Sequence, residues 1–148
     1  MAIFLSDAKI EAVEKIIQYE FQDKRLLEQA FEAAGSTSRP EGNKRLAQLG
    51  DATLRLSLNL AGFEAKRSIG HITISLSKKA NNDNLASIGF AFGLDKIIIL
   101  NPSAQGAVPK RLMATTVEAL IGAVYLDSQK SIKVTLAVIK ALGLDQAE

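Results

Sequence analysis

The stretch NKRLAQLGDATL, residues 43–54, has the spacing of a helix with one apolar face. Small and apolar side chains recur there at intervals of three and four residues, which places them on the same side of a helix. Continued to residue 57, this face consists of Leu46, Leu49, Gly50, Thr53, Leu54 and Ser57. The pattern predicts a long helix from about Asn43 to Ala61, with Gly62 as the glycine that follows the helix end.

Two shorter helices are predicted on the N-terminal side of this stretch. Apolar side chains in residues 10–17 repeat at helical spacing, and Ser6 or Asp7 can cap the start of that helix. Asp23 opens a second helix. We expect it to end near Gly35, where the turn-rich sequence GSTSRPEG predicts a surface loop.

The C-terminal side is also helical, apart from two stretches whose structure the spacing leaves open. Residues 68–80 mix β-branched side chains with helix formers, so a strand is the alternative to a helix, although no hairpin partner supports it. Residues 96–100, KIIIL, fit a short strand or a packed connector before a loop with two prolines. Helices are predicted at residues 82–93, 111–127 and 131–142.

These patterns predict one all-α domain over residues 1–148. A chain of this length suits a single core, and its 47% hydrophobic and 23% charged residues are ordinary for a globular protein. The sequence has no cysteine, which excludes disulfides, cysteine zinc sites and thiol nucleophiles. Charged residues interrupt every apolar stretch, so we expect neither a transmembrane helix nor a membrane partner.

The first residues, MAIFLSD, bear on the compartment. They lack the basic and long apolar regions of a secretory signal and the arginine-rich character of a transit peptide. We therefore expect a cytoplasmic or nuclear protein. A mitochondrial protein whose presequence has been removed is the alternative.

Charge is unevenly distributed, although the formal net charge is only +2. Residues 1–43 carry a net −3, residues 44–79 carry +5, and residues 80–148 are balanced. A basic middle third is suited to phosphate groups, and a solvated helix face that binds nothing is an equally good explanation of charge alone.

Two segments resemble the ribonuclease III family. NKRLAQLGDATL at residues 43–54 is similar to the family signature NERLEFLGDAVL, and TVEALIGAVYLD at residues 116–127 is similar to the family helix AFEALIGAVYLD. Residues 19–27 and 82–86 add weaker similarity in the expected order. The resemblance implies an all-α nuclease domain that pairs with a second copy to form a valley for duplex RNA. We expect no double-stranded RNA-binding domain within these 148 residues.

The resemblance also implies four acidic side chains, two on each of two helices, that hold Mg²⁺ or Mn²⁺ for cleavage of the RNA backbone. At those positions this sequence has Ala47 and Asp51 on the first helix, and Thr115 and Glu118 on the second. Two of the four acids are therefore missing. Neither alanine nor a neutral hydroxyl replaces an anionic oxygen around a hard cation, so we predict impaired or absent cleavage.

The two remaining acids, Asp51 and Glu118, are the catalytic remnants and the candidate metal ligands, for weakly bound Mg²⁺ or Mn²⁺. We favour the alternative that they now make structural contacts, with Lys44, Arg55 or helix ends. The rival hypothesis is an active endoribonuclease. In it, RNA phosphates help these acids hold one Mg²⁺ ion, and Asp83 or Thr115 assists in binding that ion.

Basic side chains of the middle third and of one helix start are the predicted contacts to duplex RNA, which is recognised mainly through its backbone. They are Lys44, Arg45, Arg55, Lys66, Arg67, Lys78, Lys79, Lys110 and Arg111. His71 has no partner near it in sequence and is assigned no role. Gln48 replaces the bulky aromatic residue usual in the family signature, which makes the expected homodimer contact more polar.

The predicted function is thus RNA binding as a homodimer, with double-stranded RNA or an RNA-containing assembly as partner. A pseudoenzyme subunit paired with an active ribonuclease III, and a structural subunit of the kind found in mitochondrial ribosomes, are the other forms of this hypothesis. The net charge of +2 is low for a protein embedded deeply in RNA.

Overall fold

The computed structural model describes residues 5–104 and 106–145. Within them the chain forms seven α-helices and one 3₁₀ turn: α1 (Asp7–Ile17), α2 (Lys24–Ala30), α3 (Lys44–Glu64), α4 (Ile69–Lys79), α5 (Asn82–Ala91), the 3₁₀ turn (Leu94–Lys96), α6 (Lys110–Asp127) and α7 (Ile132–Ala141). These residues contain no β-strand, only one isolated bridge. The predicted all-α fold is confirmed.

Side chains cap the first two helices at the residues where those helices were predicted to begin. Ser6 accepts a hydrogen bond from the backbone N–H of Lys9 at 3.2 Å, and Asp23 accepts one from Arg25 at 3.0 Å. Such caps satisfy backbone donors that have no partner inside the helix. Of the two caps open for α1, the structure therefore selects Ser6.

Helix α6 is the central element of the fold. Its side chains are buried on almost every side, among them Met113, Leu120 and Ile121, which are fully buried. A helix that is apolar all round needs neighbours all round, and α2, α3, α5 and α7 pack against it. The second segment of family resemblance therefore lies in the core.

Helices α3 and α6 pack together through two glycines. A Cβ atom added to Gly50 would lie 1.7 Å from the carbonyl oxygen of Glu118, and one added to Gly122 would lie 2.3 Å from that of Leu46. Only glycine allows backbones to approach this closely. The crossing brings the second turn of α3 beside the middle of α6.

The segment between α2 and α3 is tied to the core rather than lying loosely on the surface. Helix α2 ends at Ala30, five residues before the predicted end, because the following backbone pairs with Ile99. The N–H of Ile99 donates to Phe31 at 2.8 Å, and the N–H of Ala33 donates to Ile99 at 3.0 Å. KIIIL is thus a packed connector with a single bridge.

A buried ion pair organises the rest of that loop. The Glu32 carboxylate is 1% exposed and accepts hydrogen bonds from Arg39 at 2.9 Å and from Thr37 at 2.7 Å. A buried carboxylate needs such partners because its desolvation is costly. The turn-rich sequence therefore folds into a fixed loop.

Helix α4 corrects two predictions. Residues 69–79 are helical, with Ser68 accepting from the N–H of His71 at 3.1 Å, so the strand alternative is wrong. Gly62 does not follow the end of α3, because that helix continues to Glu64. Gly62 instead allows α4 to approach α3, since a Cβ atom at this position would lie 2.6 Å from the side chain of Ile72.

Part of the surface of α3 remains apolar and exposed. Leu56, Leu60 and Phe63 are 54%, 37% and 78% exposed and recur at intervals of four and three, so they share one face of the helix. We call these three side chains the α3 stripe. None of the described helices combines the length and apolarity that crossing a bilayer requires.

Candidate functional site

Asp51 and Glu118, the two predicted catalytic remnants, lie in one cavity between α3, α5 and α6. The cavity measures about 920 Å³ and opens to solvent. Asp51 enters it from α3 and Glu118 from α6, brought together by the close approach of the two helices at Gly50. The sequence predicted this pairing from the family resemblance, and the structure places both side chains accordingly.

The two carboxyl groups interact directly. Burial and a hydrogen bond with Asp51 raise the pKa of Glu118 to about 8, with the negative charge of Asp51 contributing and Arg55 opposing the rise. Because like charges this close cannot both ionise cheaply, Glu118 keeps its proton at neutral pH. Asp51 in turn pairs with Arg55, one helical turn later, at 3.1 Å.

Replacing Glu118 with glutamine should change how stability depends on pH. An unfolded Glu118 ionises near 4.5, whereas the folded one holds its proton to about 8. The contribution of Glu118 to the stability of the wild type therefore falls as pH rises across this window, since the unfolded state binds fewer protons at this residue. Glutamine mimics the protonated form, so Glu118→Gln should be comparably stable at pH 5 and more stable than the wild type at pH 8.

Urea unfolding at several pH values measures this difference. Glu64→Gln, which removes a charge from an exposed position of α3, is the control for altered net charge. A constant difference between Glu118→Gln and the wild type from pH 5 to 9 would contradict the shared proton.

The two positions where the resemblance implies further acids also line the cavity. Ala47 is 6% exposed and contributes only a methyl group, and Thr115 is half-buried and contributes a neutral hydroxyl. All four positions implied by the resemblance therefore converge on one space. Two of them supply no negative charge.

A divalent metal ion does not fit this set of side chains. Hard cations bind several anionic oxygens, and the cavity offers two carboxyl groups, one of which is paired with arginine. Lys44, Arg55 and Arg111 also line it and repel a cation. Nowhere in residues 5–104 and 106–145 do three acidic or histidine side chains form a possible metal site.

The basic side chains predicted to contact RNA fall into separate places. Three of them line the cavity, as just described, and Arg67 and Lys79 line a second depression of about 240 Å³ between α3 and α4. His71, which has no assigned role, lies in that second depression as well. Arg45, Lys66 and Lys78 are exposed.

Lys110 and Asp83 pair with each other outside the cavity. Their Nζ and Oδ1 atoms are 3.1 Å apart, and both side chains are largely exposed. Asp83 does not line the cavity, so it is not positioned to assist a metal beside Asp51. Thr115 does line it.

The sequence alone did not indicate the role of Asn43. Its side chain is buried and donates to the carbonyl oxygen of Ala30 at 2.8 Å and to the hydroxyl of Thr116 at 3.1 Å. It thereby links the end of α2 and the start of α3 to the first half of α6 at the wall of the cavity. The one signal for this role in the sequence was that Asn43 is the first residue of the stretch that resembles the family signature.

Comparison with known proteins agrees with this architecture. Residues 44–129 match the family model described as the ribonuclease III domain. Relatives named Ribonuclease 3 include a protein of Rhodopirellula baltica, 32% identical over 81% of this chain and 47% of its own length. Another, from Shewanella sediminis, is 34% identical over 77% of this chain and 52% of its own length. The chain thus spans about half the length of the curated relatives it matches.

Solved structures give the same result. A nuclease domain of ribonuclease III from Campylobacter jejuni superposes with a TM-score of 0.80 at 27% identity, covering 90% of this chain and 94% of that domain. That structure is described as showing structural flexibility in the region of the nuclease domain that is involved in dimer formation. The matched residues include both helices that build the cavity, and this chain belongs to the ribonuclease III family.

Proposed function

We propose that this chain is a ribonuclease III domain that binds duplex RNA as a homodimer and does not cleave it by the metal route of its family. The composition of the cavity carries this proposal. Two carboxyl groups stand where the resemblance implies four acids, and three basic side chains line the same cavity. A cavity so charged favours the RNA backbone over the ions that cleave it.

Duplex RNA is the partner best suited to the basic surface. Residues 44–79 carry a net +5, and their side chains are spread over α3, α4 and the turn between them. Scattered lysine and arginine suit a duplex, which presents its phosphates and 2′-hydroxyls rather than its bases. With only six Phe and two Tyr, the chain is less suited to stacking single-stranded bases.

The homodimer is supported by the α3 stripe. Three large apolar side chains exposed along one helix face commonly mark a protein contact. Gln48 and Ala52 are exposed at the start of the same face, so the contact surface would be apolar toward Phe63 and polar toward Gln48. The dimer-forming nuclease domain of C. jejuni has the same fold.

Duplex RNA incubated with the purified chain in Mg²⁺ and then Mn²⁺ should stay intact, while gel shifts should detect binding. Because phosphate contacts release counterions, affinity should fall by about 10²-fold between about 50 and 200 mM salt for roughly four contacts. Lys66→Gln/Arg67→Gln, in the turn between α3 and α4, should weaken binding by about tenfold. Lys133→Gln/Lys140→Gln, which removes two exposed charges from α7, is the matched control.

The alternatives give different results in the same experiment. Short products that vanish in Asp51→Ala/Glu118→Ala would instead favour an active enzyme with an altered metal shell. Sedimentation of the wild type as a monomer, indistinguishable from Leu56→Glu, would remove the homodimer and favour pairing with another ribonuclease III subunit. A cytoplasmic or nuclear site of action, with a mitochondrial ribonucleoprotein as alternative, stays a prediction.

A further inference from the structure

We propose that the cavity between α3, α5 and α6 has become an anion site, in which Lys44 and Arg111 bind a phosphate group directly and without a bridging metal. The inference rests on the proposed function for the source of that phosphate, an RNA backbone. The chemistry of the site itself does not depend on it.

The balance of charge in the cavity is the first observation. Three basic side chains, Lys44, Arg55 and Arg111, face two acidic ones, so the lining is positive even with both acids ionised. Arg55 and Asp51 neutralise each other at 3.1 Å. Lys44 and Arg111 are exposed and form no ion pair within the described part of the chain, so an anion entering the cavity would meet two cations without an acidic partner.

The placement of these two cations is the second observation. Lys44 is the first residue of α3 and Arg111 the second residue of α6, so both lie beside the positive ends of long helices. Among the described residues, no side chain caps either helix. Backbone N–H groups in the first turns therefore add to the charge of the two side chains.

The neutral residues of the lining complete the chemistry. Thr115 and Asn82 bring a hydroxyl and an amide, which can donate to phosphate oxygens. Arginine binds two oxygens in a planar fork, while lysine acts as a mobile point charge. The volume of about 920 Å³ far exceeds that of one phosphate, so the group can enter with a nucleotide or strand attached.

Titration of the intact chain with inorganic sulfate and phosphate, followed by amide chemical shifts in a buffer without other oxyanions, tests the inference. We expect saturable binding, with the largest shifts in the first turns of α3 and α6. Lys44→Gln/Arg111→Gln should weaken it by about tenfold per cation removed. Lys133→Gln/Lys140→Gln should stay within about twofold of the wild type, since neither lysine lines the cavity.

Two further arms separate the possible outcomes. Lys44→Arg/Arg111→Lys keeps both charges and should retain binding, which guards against loss by misfolding. Weaker binding of a short RNA duplex by the glutamine variant would identify the backbone as the source, whereas an effect on mononucleotides alone would identify a free nucleotide. Unsaturable shifts, equal loss in the α7 control, or saturable Mn²⁺ binding in the cavity without phosphate would overturn the proposal.

Discussion

Replacing Gly50 with alanine is expected to cost the domain about 3 kcal/mol of unfolding free energy, near the upper end for an overpacked core. The added Cβ would lie 1.7 Å from the carbonyl oxygen of Glu118 and 2.9 Å from the backbone nitrogen of Gly122. Both obstacles are backbone atoms, so no side chain can turn aside. The two central helices would have to separate, and the cavity beside them would widen.

Gly70→Ala is the matched control for this substitution. Gly70 is also helical, but a Cβ atom there meets nothing within 4 Å. Alanine should leave stability unchanged or raise it by up to about 1 kcal/mol through its higher helix propensity. Urea unfolding measures both variants, and a Gly50→Ala protein as stable as the wild type would contradict the close crossing of α3 and α6.

Restoring the missing acids should produce the largest change in metal affinity. In Ala47→Glu/Thr115→Asp, four carboxyl groups would enter one cavity, which has space for both new side chains. Each added anionic ligand should strengthen Mn²⁺ binding by about tenfold, so we expect about 10²-fold in total. Cleavage of duplex RNA should appear with it, because a lost preorganised group typically costs about 10²–10³ in rate.

The neutral pair Ala47→Gln/Thr115→Asn is the control, since it adds nearly the same volume without charge. Calorimetry with Mn²⁺ and a cleavage assay distinguish the two proteins, and unfolding measurements establish that both fold. A charged variant that folds but binds Mn²⁺ no better than the neutral one would contradict the role assigned to the missing acids. Two ordered Mn²⁺ ions beside Asp51 and Glu118 in the wild type would contradict it as well.

Local sequence was most informative where neighbouring residues decide the structure. Side-chain caps at Ser6 and Asp23 mark the first two helix starts, because a cap involves only residues two or three positions apart. The apolar face from Leu46 to Ser57 predicted α3, and the family resemblance placed Asp51 and Glu118 opposite each other. Helix ends were less predictable, since α2 stops early to pair with Ile99.

The sequence by itself determined the all-α fold and the family, since periodicity and signature residues can be recognised along the chain without the tertiary structure. It also has Ala47 and Thr115 at two positions where the resemblance implies acids. Tertiary structure alone decided how the remaining charges meet. It paired Arg55 with Asp51, raised the pKa of Glu118, and brought Lys44 and Arg111 to the lining of one cavity. It also placed Gly62 where α4 packs closely against α3. Burial and electrostatic interactions depend on distances between residues far apart in the chain, and only the packing of α3 against α6 sets those distances.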